Sequence, residues 1–252
     1  MPTVAALYRY PVKGLSPEPL VAVDLTPGET IPYDRAYAIE NGPAPFDPLA
    51  PSHLPKTHFL MLMRNERLAE LTTRFDDATG VLTIRRGEAL VLEARLDTED
   101  GRHAVEAFFD AFEADELRGP AKLLHVPGFS FSDTAARVLS LINLESVAAI
   151  GREIGAEVNP LRFRGNLYVA GLPAWDEFGL VGKEIRVGGV TFTVTKRIDR
   201  CVATNVNPVT AARDMNIPKS LMRGFGHVDC GVYLKVETAG TIAVGDALDL
   251  PS

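Results

Sequence analysis

Short apolar runs broken by glycine and proline dominate the chain. TVAALYRY (3–10), PLVAVDL (19–25) and RAYAIE (35–40) are apolar and aromatic stretches bounded by turn-forming residues, which predicts strands. VLTIRRGEALVLEAR (81–95) predicts a hairpin turning at Gly87. In EIRVGGVTFTVTKR (184–197), Gly188 and Gly189 supply the positive φ of a two-residue turn. There Val190, Phe192 and Val194 alternate with Thr191, Thr193 and Thr195, as a half-buried strand requires. GVYLKVETAGTIAVGDALDL (231–250) predicts a last hairpin. Two segments switch to the helical period. HAVEAFFDAFEA (103–114) carries Val105, Phe108, Ala111 and Phe112 on one face. NLESVAAIGREIG (143–155) has Asn143 as N-cap, an apolar face at Leu144, Val147, Ala148 and Ile154, and Gly155 as stop.

The proline-rich stretch ENGPAPFDPLAPSHLPK (40–56) predicts a long surface loop inside the N-terminal half. ELRGP (116–120) breaks the pattern after the first helix, which divides the chain into residues 1–118 and 119–252. The expected class is mainly β (α+β): a β-rich N-terminal domain followed by a β-rich C-terminal domain with a few helices.

With 252 residues, 46% hydrophobic and 23% charged, the chain is long enough to bury a sizeable core and ordinary for a soluble globular protein. The net charge of −7 argues against a general nucleic-acid or anionic-membrane surface, while leaving room for a local basic pocket. Two cysteines make no disulfide framework and no CxxC motif, which fits a reducing cytoplasm. MPTVAALYRYPVKG has no long apolar segment of a leader type, and no apolar run approaches the ~18–20 residues of a membrane span. The expectation is a cytoplasmic protein without a membrane anchor.

Candidate chemistry centres on KRIDRCVATNVNPVT (196–210), where Cys201 lies among arginines and a polar, turn-forming run. Cations beside a thiol, here Arg197 and Arg200, favour the thiolate that both a nucleophile and a soft metal ligand require. An inert strand-end cysteine is the alternative. Cys230 opens a strongly apolar strand and reads as a small core residue. His227-x-x-Cys230 with Cys201 lacks the four close ligands of a structural zinc site, and a Cys201–His227 nucleophilic pair has no specific support. If LRFRGNLYVAG (161–171) is a strand, Arg162, Arg164, Asn166 and Tyr168 share one face, and two arginines with an amide suit a phosphate or other oxyanion. A solvated sheet face accounts for the same row. Lys13 of YPVKG and Arg35 of YDRAYAI matter only if the fold brings them to the same place. No GxGxxG, P-loop, HExxH or GxSxG motif is present.

Taken together, LYRYPVKGLSPEPLVAVDLTPGETIPYDRAYAIE, FRGNLYVAGLPAWDE, RCVATNVNPVT and GVYLKVETAGTIAVGDAL resemble, in this order and over nearly the whole chain, the MOSC family. The likeness is strongest to its amidoxime-reducing branch and bacterial relatives, with an N-terminal MOSC-associated β-barrel domain over 1–118 and a MOSC β-barrel over 119–252. The resemblance implies a molybdenum cofactor whose metal is ligated by Cys201, with Lys13, Arg35, Arg164, Asn166, Arg200 and Tyr233 at positions of cofactor contacts. Ser140 and Asn143 fall in a region that contacts cofactor in relatives. It implies an oxidoreductase that reduces N-hydroxylated or N-oxide small molecules. Electrons would come from a separate ferredoxin-, flavin- or haem-type protein, because no ferredoxin domain follows Asp249. Two departures stand out: Gly14 where relatives often carry a small hydroxyl residue, and Ala211 where the family often has glycine. A sulfur carrier or cofactor-delivery protein with a Cys201 persulfide is the alternative function, and a cofactor-free binding module a third. No lysine-centred signal supports pyridoxal phosphate.

Overall fold

The computed structural model describes residues 1–43 and 45–251; Ala44, within the proline-rich loop, and Ser252 lie outside the described residues. In chain order the elements are β1 (Thr3–Arg9), β2 (Glu18–Leu20), β3 (Ala22–Leu25), β4 (Tyr37–Asn41), β5 (Leu71–Asp76), β6 (Val81–Arg86), β7 (Ala89–Arg95), α1 (Glu99–Phe112), β8 (Ala121–His125), β9 (Leu139–Asn143), α2 (Leu144–Ile154), β10 (Leu167–Ala170), β11 (Glu184–Val187), β12 (Val190–Asp199), α3 (Ile217–Phe225), β13 (Asp229–Val236), β14 (Gly240–Ala243) and β15 (Leu248–Asp249). The fold is mainly β, with helices packed outside the sheets.

An eight-stranded sheet runs in the order β15-β11-β12-β13-β9-β10-β1-β2. It curls until its ends meet: Val4 N–H donates to Asp246 O at 2.9 Å and Leu248 N–H to Pro2 O at 2.9 Å. The curl satisfies backbone groups that an open edge would leave exposed. It encloses a core that includes Val4, Leu7, Leu141, Val169, Phe192, Val194 and Leu234. A second core gathers the β5-β6-β7 sheet, the β4-β8 pair and α1, around Leu82, Ile84, Val105 and Phe109. Both expected helices form. Thr98 caps α1 by accepting from Gly101 N–H, and Asn143 caps α2 by accepting from Glu145 N–H, with Gly155 in the left-handed conformation at its end. No described helix is long and apolar enough to cross a membrane.

The structure departs from the sequence reading at four places. Sheet membership crosses the 118/119 division: β1 and β2 belong to the large sheet, and β3 pairs with β14. β14 does not fold back on β13, because both edges of β13 are already occupied by β12 and β9. At the β11–β12 turn only Gly188 takes a positive φ. Residues 160–163 are a 3-10 turn rather than a strand; Pro160 opens it and the Asn159 side chain caps it by accepting from Leu161 N–H at 2.9 Å. The strand begins only at Leu167, so Arg162, Arg164, Asn166 and Tyr168 do not form one row.

Candidate functional site

A cavity of about 240 Å³ opens between the large sheet and the loops of the N-terminal half. Lys13, Arg35, Arg164, Asn166, Arg200, Cys201 and Tyr233 all line it, as does Ser140. Residues distant in sequence meet because β1, β9, β10, β12 and β13 are neighbours and their ends converge. Asn143 is elsewhere: its side chain caps α2 and donates to Pro173 O and the Glu177 carboxylate, both at 2.8 Å.

Cys201 follows β12 directly and leads into a 3-10 turn over Val202–Asn205. Its carbonyl accepts from Thr204 N–H at 3.1 Å and Thr204 Oγ1 at 2.9 Å. The turn is clamped from outside. Arg162, almost fully buried, donates to Asn205 O at 3.0 Å and pairs with Asp214 at 2.6 Å, and Asp214 accepts from Asn207 Nδ2 at 2.7 Å. Arg213 reaches the other way, to Glu66 at 2.9 Å and the Met63 carbonyl at 3.0 Å. The Cys201 thiol is therefore aimed by a turn that is braced on two sides.

The cation beside the sulfur is not the one its sequence neighbours suggest. Arg197 stacks on Phe178, 4.4 Å from the ring centroid, and does not line the cavity. Arg200 does line it, but its guanidinium donates to Cys230 O at 2.8 Å and Phe163 O at 2.9 Å. It brackets strand ends together. Lys56, the last residue of the proline-rich loop, donates to Cys201 Sγ at 3.3 Å and pairs with Asp133 at 3.3 Å. Burial opposes the Lys56 charge, but Asp133 and Cys201 outweigh it and the ammonium is favoured. Asp133 also pairs with Lys13, whose Nζ donates to Phe131 O at 2.8 Å. Burial works against the Asp133 charge, yet the two lysines hold its carboxyl well below the usual carboxylate range. For Lys13 burial wins, and its ammonium gives up its proton more readily than an exposed lysine would.

The deep wall is built from arginines. The guanidinium carbons of Arg35 and Arg164 lie 4.3 and 4.4 Å from the centroid of the buried Tyr10 ring. Arg35 pairs with Asp34 and donates to Arg164 O at 2.9 Å. Both arginines hold positive φ, 52° and 51°, an uncommon region for a non-glycine residue. Burial lowers the pKa of Arg164, and among the described residues its guanidinium takes no ion pair or hydrogen bond. It is a half-buried cation facing the cavity, without a committed acceptor among the described residues. Asn166 is differently employed: its Oδ1 accepts from Ser140 N–H and Oγ at 3.0 and 2.9 Å, and its Nδ2 donates to Tyr8 O at 3.2 Å. It ties β1, β9 and β10 together at the cavity wall.

Gly14 takes φ +86°, and a Cβ there would stand 2.8 Å from Leu60 O, so no hydroxyl-bearing side chain fits at that point of the wall. The Cys201–His227 and zinc alternatives fall away. Cys230 is fully buried, with burial pushing its thiol up to about 12. His227 packs against Trp175 and Phe178 and does not line the cavity. No group of three metal-ligating side chains occurs among the described residues. Sequence reasoning missed Lys56, Asp133 and Lys196 as lining residues, and Lys56 left no local signal, since it lies far along the chain from Cys201.

Comparison with known proteins adds a family. No curated protein matches the chain. Among solved structures, the YUAD protein from Bacillus subtilis is 15% identical with a TM-score of 0.45, the alignment covering 98% of this chain and 94% of that one. YiiM from Geobacillus stearothermophilus is 18% identical with a TM-score of 0.36, over 45% of this chain and 54% of that one. The MOSC domain family matches residues 128–249, the stretch that supplies β9–β15, Cys201 and Arg164. This chain carries a MOSC domain.

Proposed function

We propose that the chain is a molybdenum-cofactor oxidoreductase that removes oxygen from N-hydroxylated or N-oxide small molecules, with Cys201 as the metal ligand. One observation carries this reading: an accessible thiol shares a cavity with a cluster of cations, one of which, the half-buried Arg164, has no acceptor among the described residues. That donor set fits the group. A thiolate suits molybdenum, and the phosphate of the pterin suits paired guanidinium groups in a poorly hydrated wall. Cys201 would hold the metal and Arg35, Arg164 and Lys13 the phosphate end. Tyr233 would flank the group, while Asn166 and Arg200 shape the wall.

When bound, the cofactor supplies two-electron redox chemistry: R–NHOH + 2e⁻ + 2H⁺ gives R–NH₂ + H₂O, with electrons from a separate donor protein. The chain contributes position and field. Lys56 keeps a positive charge at 3.3 Å from Cys201 Sγ, and Asp133 keeps Lys56 there. The Arg162–Asp214 clamp keeps the turn from drifting, and so the sulfur.

The test is elemental analysis of protein purified from a host competent in cofactor synthesis. Wild type is expected to hold near-stoichiometric molybdenum and Cys201→Ala to lose it. Equal molybdenum in both overturns the ligand assignment. If neither holds metal and the wild-type mass is heavier by one sulfur atom on Cys201, a sulfur carrier replaces the enzyme reading.

A further inference from the structure

We infer that the substrate of this site is an anion, a carboxylated or similarly acidic N-hydroxylated compound, and that Lys196 at the cavity mouth is the residue that selects it. The inference rests on the cofactor-enzyme reading above and deepens it.

The chain carries a net charge of −7, yet seven cationic side chains line the cavity against three acidic ones, and of the seven only Arg162 is met, among the described residues, by an acid outside the lining, Asp214. Two of the three acids are spent inside: Asp34 pairs with Arg35, and Asp133 with Lys13 and Lys56. The third, Asp199, is exposed and makes no ion pair among the described residues. The cations sort by depth. Lys13 is 5% exposed and the Arg35 side chain 14%, so they suit an anion that enters once and stays. Lys196 is exposed, lies on the rim, and has its Nζ 5.6 Å from the centroid of the Tyr233 ring. Among the described residues it makes no ion pair or hydrogen bond. Every other lysine of the cavity is held by Asp133.

A surplus cation at the mouth has a definite physical effect. A basic cleft in an acidic protein focuses the field, raising the local concentration of anions and repelling cations. Its strength at an exposed position is modest and screened by salt. Buried cations hold what is resident, whereas an exposed one acts on what arrives and leaves. Tyr233 beneath the Lys196 ammonium fixes that charge over the cavity rather than letting it sweep through solvent.

The test compares two amidoximes that differ by one charge, benzamidoxime and its 4-carboxylate, on wild type and Lys196→Glu, with molybdenum content measured on the same samples. The readout is the ratio of the two KM values. Wild type is expected to favour the carboxylate. Lys196→Glu is expected to cut the ratio by roughly tenfold, a charge reversal being worth about two exposed ion-pair terms. Dissociation constants for benzoate and benzamide, isosteric and not reducible, are measured on the same proteins by ligand-observed NMR and should shift in the same sense. Raising the salt should shrink the wild-type preference. If the molybdenum content is intact and both ratios are unchanged, the anionic-substrate inference is overturned and the cofactor reading stands. If wild type holds no molybdenum, both fall together.

Discussion

Ala211 sits six residues past the turn over Val202–Asn205, with φ of 59°, in a loop where its N–H donates to Asn207 O at 2.9 Å. The loop keeps a glycine-type conformation although the residue is alanine. Left-handed backbone costs a Cβ-bearing residue about 1–2 kcal/mol, and part of that returns because glycine makes the unfolded chain more flexible. Ala211→Gly is therefore expected to stabilise the protein by about 0.5 kcal/mol, read as a higher urea midpoint at unchanged m-value. Glu113 works in the opposite direction. It is 1% exposed, and among the described residues neither carboxylate oxygen has a hydrogen-bond partner. Burial, and then the charge of Glu116, raises it from 4.5 to about 7. Between those values the folded state binds the proton that the unfolded state releases. Its contribution is thus complete below about pH 4.5 and lost as pH rises through about 7, up to about 3 kcal/mol in all. Glu113→Gln should flatten the fall in stability between pH 5 and 8 and leave the variant more stable than wild type at pH 8; a parallel pair of curves would refute this. At this scale much of the cavity lining was legible in the sequence. Cys201, Lys13, Arg35 and Arg164 were named from the ordered motifs that carry the family resemblance, Lys13 and Arg35 being weak signals taken singly, and all four line one cavity. Lys56 was not legible, because its partners Asp133 and Cys201 lie far along the chain and meet it only in the folded molecule.

The elements that aim Cys201 behave as one device. The turn over Val202–Asn205 is held by Arg162, whose own side chain is 1% exposed and whose charge is met by Asp214. Removing the acid leaves a guanidinium buried without its counter-charge, and the penalty for that exceeds the value of the pair itself. Asp214→Ala is expected to lower stability by about 2 kcal/mol in urea unfolding and to reduce metal retention together with it; full metal content at that loss of stability would separate the clamp from the site. The same region marks where periodicity misleads. Read as a strand, residues 161–171 placed Arg162 beside Arg164 on one face, and the Asn159-Pro160 pair that starts a 3-10 turn was the overlooked signal. The two helices and the hairpin at Gly87 were legible, since caps and turns are local chemistry. The pairing of β14 with β3 was not, because it depends on which sheet edges remain open after the other strands have paired.

The whole molecule closes on its own beginning, and this has a consequence for any attempt to isolate the MOSC portion. β1 lies between β10 and β2 in the large sheet, and its first residues bond to the segment before β15. β3 covers β14. Val4, Leu7, Leu25 and Ile31 fill the same core as Val169, Phe192 and Leu234. Cutting at 118/119 strips those four side chains from the barrel interior and exposes the edge of β10. At roughly 1.5–3 kcal/mol per buried aliphatic side chain, the loss is about 6–12 kcal/mol, comparable with the whole stability of a typical domain. A fragment of residues 119–252 is therefore expected to be unfolded or aggregated, with no dispersed amide spectrum and no cooperative melt. The site would disappear with it, since Lys13, Arg35 and Lys56 reach the cavity only from the first half of the chain. Adding residues 1–41 in trans should restore a cooperative transition if strand pairing is what the fragment lacks. A fragment that folds alone would instead show that the N-terminal strands decorate a barrel able to close without them.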